Sequence, residues 1–221
     1  MVNKNRFIIS GGGTGGHIYP ALSIANKIKQ SFINSEIKFV GAKGRMEMNI
    51  VPEHGYDIEG LWISGLKRSF SFKNFLLPFK LIISFIHSFF IIIKFNPKFV
   101  IGTGGFASFP IVFISSILRI PTLIQEQNSL PGISNRLLSS YVNYISVAYE
   151  KMEKYFPSKK LFLTGNPIRE SISKSNSSFN LKSKLNIEDS KLVISILGGS
   201  LGSDKINKTI EKNIDFLISK N

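Results

Sequence analysis

Cysteine is absent from this chain of 221 residues, which excludes disulfides and every Cys-ligated metal or iron–sulfur centre. The histidines His17, His54 and His87 stand in three unrelated contexts, so no metal site is expected from them either. Acid is scarce as well. Asp and Glu number 14 against 28 Lys and Arg, a formal net charge of +14. From Gly60 to Gln125 there is no acidic residue, yet Lys67, Arg68, Lys73, Lys80, Lys94, Lys98 and Arg119 fall there. An acid-free, apolar-rich stretch points to an anionic membrane surface or a polyanion. RNP, zinc-finger and helix-turn-helix patterns are missing, so nucleic acid is not an expected partner. Met1 to Arg6 leads straight into a short apolar run, without the long hydrophobic segment and small-residue cleavage site of a secretory leader. The cytoplasm is therefore the expected compartment.

Glycine, by contrast, is concentrated where it matters. Ser10-Gly11-Gly12-Gly13-Thr14-Gly15-Gly16-His17-Ile18-Tyr19-Pro20 lies between the apolar run Phe7-Ile8-Ile9 and an amphipathic segment from Ala21 to Ile28. The pattern predicts strand, Gly-rich turn and helix, with bare backbone N–H groups able to approach an anion. Pro20 fits the first helical turn, where its missing N–H is not needed. Two common nucleotide sites are disfavoured. Gly11, Gly13 and Gly16 satisfy G-x-G-x-x-G, but the second strand ends Phe39-Val40-Gly41-Ala42-Lys43 with no acid for a ribose. Gly-Lys-Ser/Thr, the P-loop signature, does not occur.

Short apolar runs predict strands near Arg6–Ser10, Ile37–Gly41, Tyr56–Gly60, Phe99–Gly102, Thr122–Gln125, Tyr144–Val147 and Lys160–Thr164, with helical patterns between most of them. That alternation implies an α/β fold with a parallel sheet covered on both faces. A Ser-rich stretch, Ser171 to Ser178, follows, and the expected division is a first domain over 1–165 and a second beginning at 166. In the second, Leu192 to Leu197 reads as a central parallel strand. Gly198-Gly199-Ser200-Leu201-Gly202 then repeats the opening design before a helix bearing Ile206, Ile210, Ile214 and Leu217. One strand–helix unit falls far short of a domain of about 100 residues, so the second domain reads as truncated.

In a parallel sheet, loops at the carboxyl ends of strands share one edge. Three Gly- or Asn-rich loops qualify: Gly11–Gly16, Gly102–Phe106, and Gln125-Glu126-Gln127-Asn128-Ser129-Leu130-Pro131-Gly132. His17, Glu126 and Asn128 are thereby brought to one crevice. The apolar segment Phe75 to Ile93 approaches the length of a membrane span. Pro78, Lys80, Ser84, His87 and Ser88 interrupt it, and α/β patterning continues on both sides, so it is expected to pack on the sheet. Its approach interleaves Lys67, Arg68, Phe70, Phe72, Lys73, Phe75, Leu76, Phe79 and Lys80, a mixture suited to a lipid headgroup layer; the bland alternative is a core helix with a solvated basic edge.

Taken in order, Gly11–Pro20, Gly102–Gly105, Glu126–Asn128 with Gly132 and Asn135, Thr164–Arg169 and Gly198–Ser200 resemble the MurG family of N-acetylglucosaminyltransferases, glycosyltransferase family 28. The resemblance implies a GT-B architecture of two Rossmann-like domains, and an inverting transfer of N-acetylglucosamine from UDP-GlcNAc to undecaprenyl-pyrophosphoryl-MurNAc-pentapeptide (lipid I), giving lipid II for peptidoglycan. It implies no metal and no cofactor, and a peripheral location on the cytoplasmic face of the bacterial plasma membrane. His17 and Glu126 are then the catalytic candidates, His17 as base or orienter for the muramoyl 4-hydroxyl. Thr14, Gly15, Gly16, Asn128, Arg169 and Ser200 match donor-binding positions. Gly104, Gly105 and Asn135 are assigned to the acceptor, and Lys67, Arg68, Phe72, Lys73, Phe75, Leu76, Phe79 and Lys80 to membrane docking. Phe106, Phe109, Leu201 and Ser203 depart from the family's usual Tyr, Gly, Gln and Ala. The uracil and ribose pockets would lie beyond Asn221, so this chain alone is expected not to turn over at a normal rate. The alternative is a non-catalytic acceptor- or membrane-binding domain.

Overall fold

A computed structural model describes residues 5–65, 76–169, 181–198 and 202–219. They fall into two compact units, Met1–Ser173 and Lys174–Asn221.

The first unit is built on strands β1 (Asn5–Ser10), β2 (Ser35–Ala42), β3 (Asp57–Leu61), β4 (Phe99–Gly102), β5 (Thr122–Glu126), β6 (Tyr144–Val147) and β7 (Leu161–Leu163). All seven expected strands are present. They form one sheet in the order β3-β2-β1-β4-β5-β6-β7, and every pairing is parallel. The helices are α1 (Gly15–Ser31), α2 (Glu47–Glu53), α3 (Leu77–Phe95), α4 (Ser108–Ile117) and α5 (Ile133–Leu138).

Side-chain alternation divides the core in two. Ile8, Val40 and Val100 face a cluster with Ile91, Ile92, Phe95 and Ile111 from α3 and α4. Their chain neighbours Ile9, Phe39 and Ile101 face the opposite cluster, with Ile18, Leu22, Ala25 and Val51 from α1 and α2. A strand buried on both sides therefore needs consecutive apolar residues, as in Phe7-Ile8-Ile9. The strand order reverses between β1 and β4, the place where such sheets open a crevice at the carboxyl ends of their strands.

α1 differs from the sequence expectation in one respect. It starts at Gly15, so Pro20 lies in its second turn, inside the helix. Pro20 has no N–H for the Gly16 carbonyl, and Gly16 is exposed at the start of the helix.

α3 is the crossover between β3 and β4. Length and hydropathy alone would let it cross a membrane. It packs on the sheet, as the α/β patterning on both sides predicted, and it does so through Ser84, Ser88, Ile91, Ile92 and Phe95. Its C-terminus closes on Asn96 in the left-handed region (φ 50°), whose N–H reaches the Ile92 carbonyl at 2.7 Å, a recurrent helix stop.

The second unit contains α6 (Leu181–Lys184) and α7 (Asp204–Ile218). Ser203 caps α7, its hydroxyl accepting from Ile206 N at 3.3 Å. The strand expected over Leu192–Leu197 is not formed, and Leu192, Val193, Ile194, Ile196 and Leu197 are exposed. A strand needs a neighbour for its N–H and C=O groups, and no partner strand occurs among the described residues of this unit.

Candidate active site

The loops after β1, β4 and β5 meet around His17. This residue stands in the first turn of α1, and its Nδ1 lies 3.0 Å from the Thr103 carbonyl and 3.1 Å from Gln127 Oε1. Both partners are acceptors. The Gln127 amide nitrogen donates to the same Thr103 carbonyl at 2.7 Å and also bonds Gln125 Oε1, which orients Gln127 with its oxygen toward the imidazole. Nδ1 therefore carries the hydrogen, and the neutral ring presents Nε2 as its basic atom. Thr103 is tied in turn to β1 and α1, its hydroxyl donating to the His17 carbonyl at 2.8 Å and its N–H to the Ser10 carbonyl at 2.8 Å.

The glycines beside His17 leave no room for side chains. A Cβ on Gly104 (φ +98°) would lie 2.8 Å from His17 Nδ1, and one on Gly105 (φ +80°) only 2.2 Å from the Gly12 carbonyl. Gly104 thus lets the imidazole lie against the second loop, while Gly105 lets the first two loops touch.

Glu126 is 1% exposed at the end of β5. Its Oε1 accepts from Asn128 N and Asn128 Nδ2, both at 3.0 Å. Its Oε2 accepts from Gly132 N at 3.0 Å and Asn135 Nδ2 at 2.9 Å. Both oxygens are thus engaged in shaping the third loop. Asn135, buried, also donates to the Gln125 carbonyl at 3.1 Å, and its Oδ1 has no donor. Asn128 is exposed beside it.

Thr14 is the exposed N-cap of α1; its carbonyl accepts from His17 N and Ile18 N at 3.1 and 3.2 Å, and Gly15 and Gly16 follow it. Beyond β7 the chain returns across the strand ends. Asn166 donates to the Gln127 carbonyl at 3.3 Å, and the Arg169 guanidinium stands 4.6 Å from the Tyr19 ring centre. Arg169 is thereby brought to the start of α1. Ser200 lies outside the described residues.

Sequence reasoning overlooked Glu47. It is fully buried at the start of α2, with Oε2 accepting from Gly13 N at 3.0 Å and Oε1 from Ala42 N at 3.1 Å. An acid therefore does reach the end of β2, but from five residues beyond the strand and bound to backbone, not open to a ribose. Two residues earlier, the exposed Arg45 stands 5.7 Å from the Phe106 ring centre. No motif marks either residue; only the return of α2 onto the first loop brings them there.

Lys67, Arg68, Phe72, Lys73 and Phe75 of the expected docking patch lie outside the described residues. Of the remainder, Leu76 and Phe79 are exposed, and Lys80 Nζ lies 3.2 Å from Ser64 Oγ and over the Trp62 ring. The apolar surface then runs on along α3, where Ile82, Ile83, Ile86, Phe89, Phe90 and Ile93 are all exposed. A cavity of about 400 Å³, lined mainly by Ile63, Leu77, Leu81, Phe106, Phe109 and Leu137, opens beside the second loop.

The chain is 52% identical over 224 residues to the UDP-N-acetylglucosamine–N-acetylmuramyl-(pentapeptide) pyrophosphoryl-undecaprenol N-acetylglucosamine transferase of Flavobacterium psychrophilum, a match covering 100% of this chain and 60% of the relative. The transferase of the same name from Christiangramia forsetii is 52% identical over 213 residues, 95% of this chain and 57% of its own length. The chain thus spans about 60% of the curated relatives it matches. Among solved structures, Acinetobacter baumannii MurG shares the fold with a TM-score of 0.61 at 24% identity, over 77% of this chain and 47% of that one. A UDP-GlcNAc 2-epimerase from Neisseria meningitidis, solved bound to UDP-GlcNAc, shares it with a TM-score of 0.54 at 17% identity, over 73% and 46%. Residues 7–147 match the glycosyltransferase family 28 N-terminal domain, and with the parallel sheet and its three converging loops this places the chain in glycosyltransferase family 28.

Proposed function

We propose that this chain supplies the acceptor-binding part, and the beginning of the donor-binding part, of an enzyme that transfers N-acetylglucosamine from UDP-GlcNAc to lipid I. The observation that carries this reading is His17, presented by three strand-end loops with Nδ1 held on the Thr103 carbonyl and Nε2 left as the base. That nitrogen takes the proton of the muramoyl 4-hydroxyl as the oxygen attacks C1 of the sugar, and UDP departs. Glu126 acts through structure: with four hydrogen bonds already accepted, it holds Asn128 and Asn135 in place. Thr14, Gly15, Gly16, Asn128 and Arg169 serve the donor in this reading, and Gly104, Gly105 and Asn135 shape the acceptor side. No metal or cofactor takes part in it.

The same reading places the protein on the cytoplasmic surface of the plasma membrane, where its acceptor is anchored. Support comes from α3, whose outward side chains are large and apolar, and from the names of the relatives.

The test is a chimera joining this chain in frame to the remaining length of the Flavobacterium psychrophilum relative. It is expected to form lipid II from UDP-GlcNAc and lipid I. His17→Ala is expected to lower kcat by about 10²–10⁴-fold with acceptor affinity nearly unchanged. A folded chimera without transfer refutes the activity, and an unchanged kcat in His17→Ala removes the base.

A further inference from the structure

Glu47 takes the Gly13 N–H, so that donor of the first loop is closed to a substrate anion, and the carboxylate beneath the loop repels one. A diphosphate at this place needs a cation. Arg45, on the same turn of chain as Glu47, supplies it: the guanidinium is exposed, rests against the Phe106 ring at 5.7 Å from its centre, and is paired with no carboxylate among the described residues. Phe106 packs against the first loop, its Cε1 only 3.0 Å from where a Gly13 Cβ would sit. The same ring also lines the apolar cavity of about 400 Å³ with Ile63, Leu77, Leu81 and Phe109, a volume within the range of small-ligand sites, ~300–1,000 Å³. Phe106 therefore touches both a cationic position and an apolar hollow. A ligand that carries a diphosphate joined directly to a hydrocarbon chain matches both neighbours of that ring.

We propose that Arg45 binds the diphosphate of a prenyl diphosphate and that the cavity beyond Phe106 takes its first isoprenoid units. The proposal rests on the acceptor reading above and adds the residues that would recognise the lipid end. A guanidinium suits the task because it forms paired, charge-assisted hydrogen bonds to phosphate oxygens. The rival source of a diphosphate is the nucleotide donor, which has no apolar chain for the cavity.

Calorimetry on the folded 221-residue chain, with farnesyl diphosphate, inorganic pyrophosphate and UDP as separate probes, tests it. Farnesyl diphosphate is expected to bind more tightly than pyrophosphate. Arg45→Gln is expected to weaken both by about tenfold or more, the usual scale for one charge-assisted contact, and Arg45→Lys to recover part of the loss. The double variant Ile133→Ser with Leu137→Ser, at exposed positions on the cavity rim, is expected to weaken farnesyl diphosphate and leave pyrophosphate unchanged. Undiminished binding by Arg45→Gln, or a loss confined to UDP, overturns the assignment of Arg45 while the acceptor reading stands. Equal farnesyl diphosphate affinity in the rim variant overturns the cavity. No binding of farnesyl diphosphate by the wild-type chain overturns both assignments, whatever the chimera does in transfer.

Discussion

The outward face of α3 can be tested by removing hydrophobicity without touching the fold. Ile86, Phe90 and Ile93 are 54%, 62% and 59% exposed. Fully burying such a side chain is worth roughly 1.5–3 kcal/mol. With somewhat more than half of each still available to a membrane, about 1 kcal/mol per residue is at stake. Replacing all three by Ser should therefore weaken adsorption by about 3 kcal/mol, roughly a hundredfold in partition coefficient. The assay is cosedimentation with phosphatidylglycerol-containing vesicles, with thermal unfolding as the control. The midpoint without vesicles should hold, because the inward face of α3 is untouched. Raising salt should weaken adsorption of both proteins by screening the basic residues, leaving their ratio in place. Unchanged partition of the triple variant would show that α3 is not the contacting surface. A collapse of the unfolding midpoint would show that these side chains serve the core.

Glu126→Ala should destabilise the first unit by about 2–4 kcal/mol, since it leaves the N–H groups of Asn128 and Gly132 and the Asn135 amide without their acceptor; denaturant titration reads this, and a change under 1 kcal/mol refutes the loop-organising role. Tyr56 donates to Asn26 Oδ1 at 2.6 Å, and burial raises its pKa above the ordinary 10.0. The folded state thus holds this proton to higher pH than the unfolded state. Its contribution is complete below pH 10 and is lost as pH rises through the raised folded value. Tyr56→Phe should flatten that part of the alkaline stability curve, and an unaltered slope refutes it.

Much of the first unit was legible because buried parallel strands write themselves as short uninterrupted apolar runs. Ile8-Ile9 and Val100-Ile101 serve the two faces of the sheet at once. The common edge of the three loops followed from parallel topology alone, and with it the meeting of His17 with the Gln125–Gly132 loop. The orientation of α3 was not legible in the same way. Its polar interruptions look like a solvent face, yet Ser84 and Ser88 are buried, Ser84 donates to the Trp62 carbonyl at 3.2 Å, and His87 Nε2 meets Glu59 Oε1 at 2.9 Å. Ser84 and His87 face inward with partners at the sheet edge, Ser88 is buried with its hydroxyl unpaired, and periodicity does not say which side of a helix meets protein. Leu192–Leu197 shows the converse. Its apolar run has strand character, but hydrogen-bonded neighbours decide whether a strand forms. Glu47 carried no signal, because its contact with Gly13 joins residues 34 positions apart.

The carboxylate of Glu47 also constrains how this sequence can vary. A Cβ at Gly12 would fall 2.1 Å from Glu47 Oε1, and one at Gly41 would fall 2.6 Å from Glu47 Cγ. Two glycines that look like independent marks of a ligand loop and a strand end are therefore fixed by one side chain. Positions 12, 41 and 47 should covary: homologues with alanine at 12 or 41 should carry a smaller residue at 47, together with another acceptor for the Gly13 N–H.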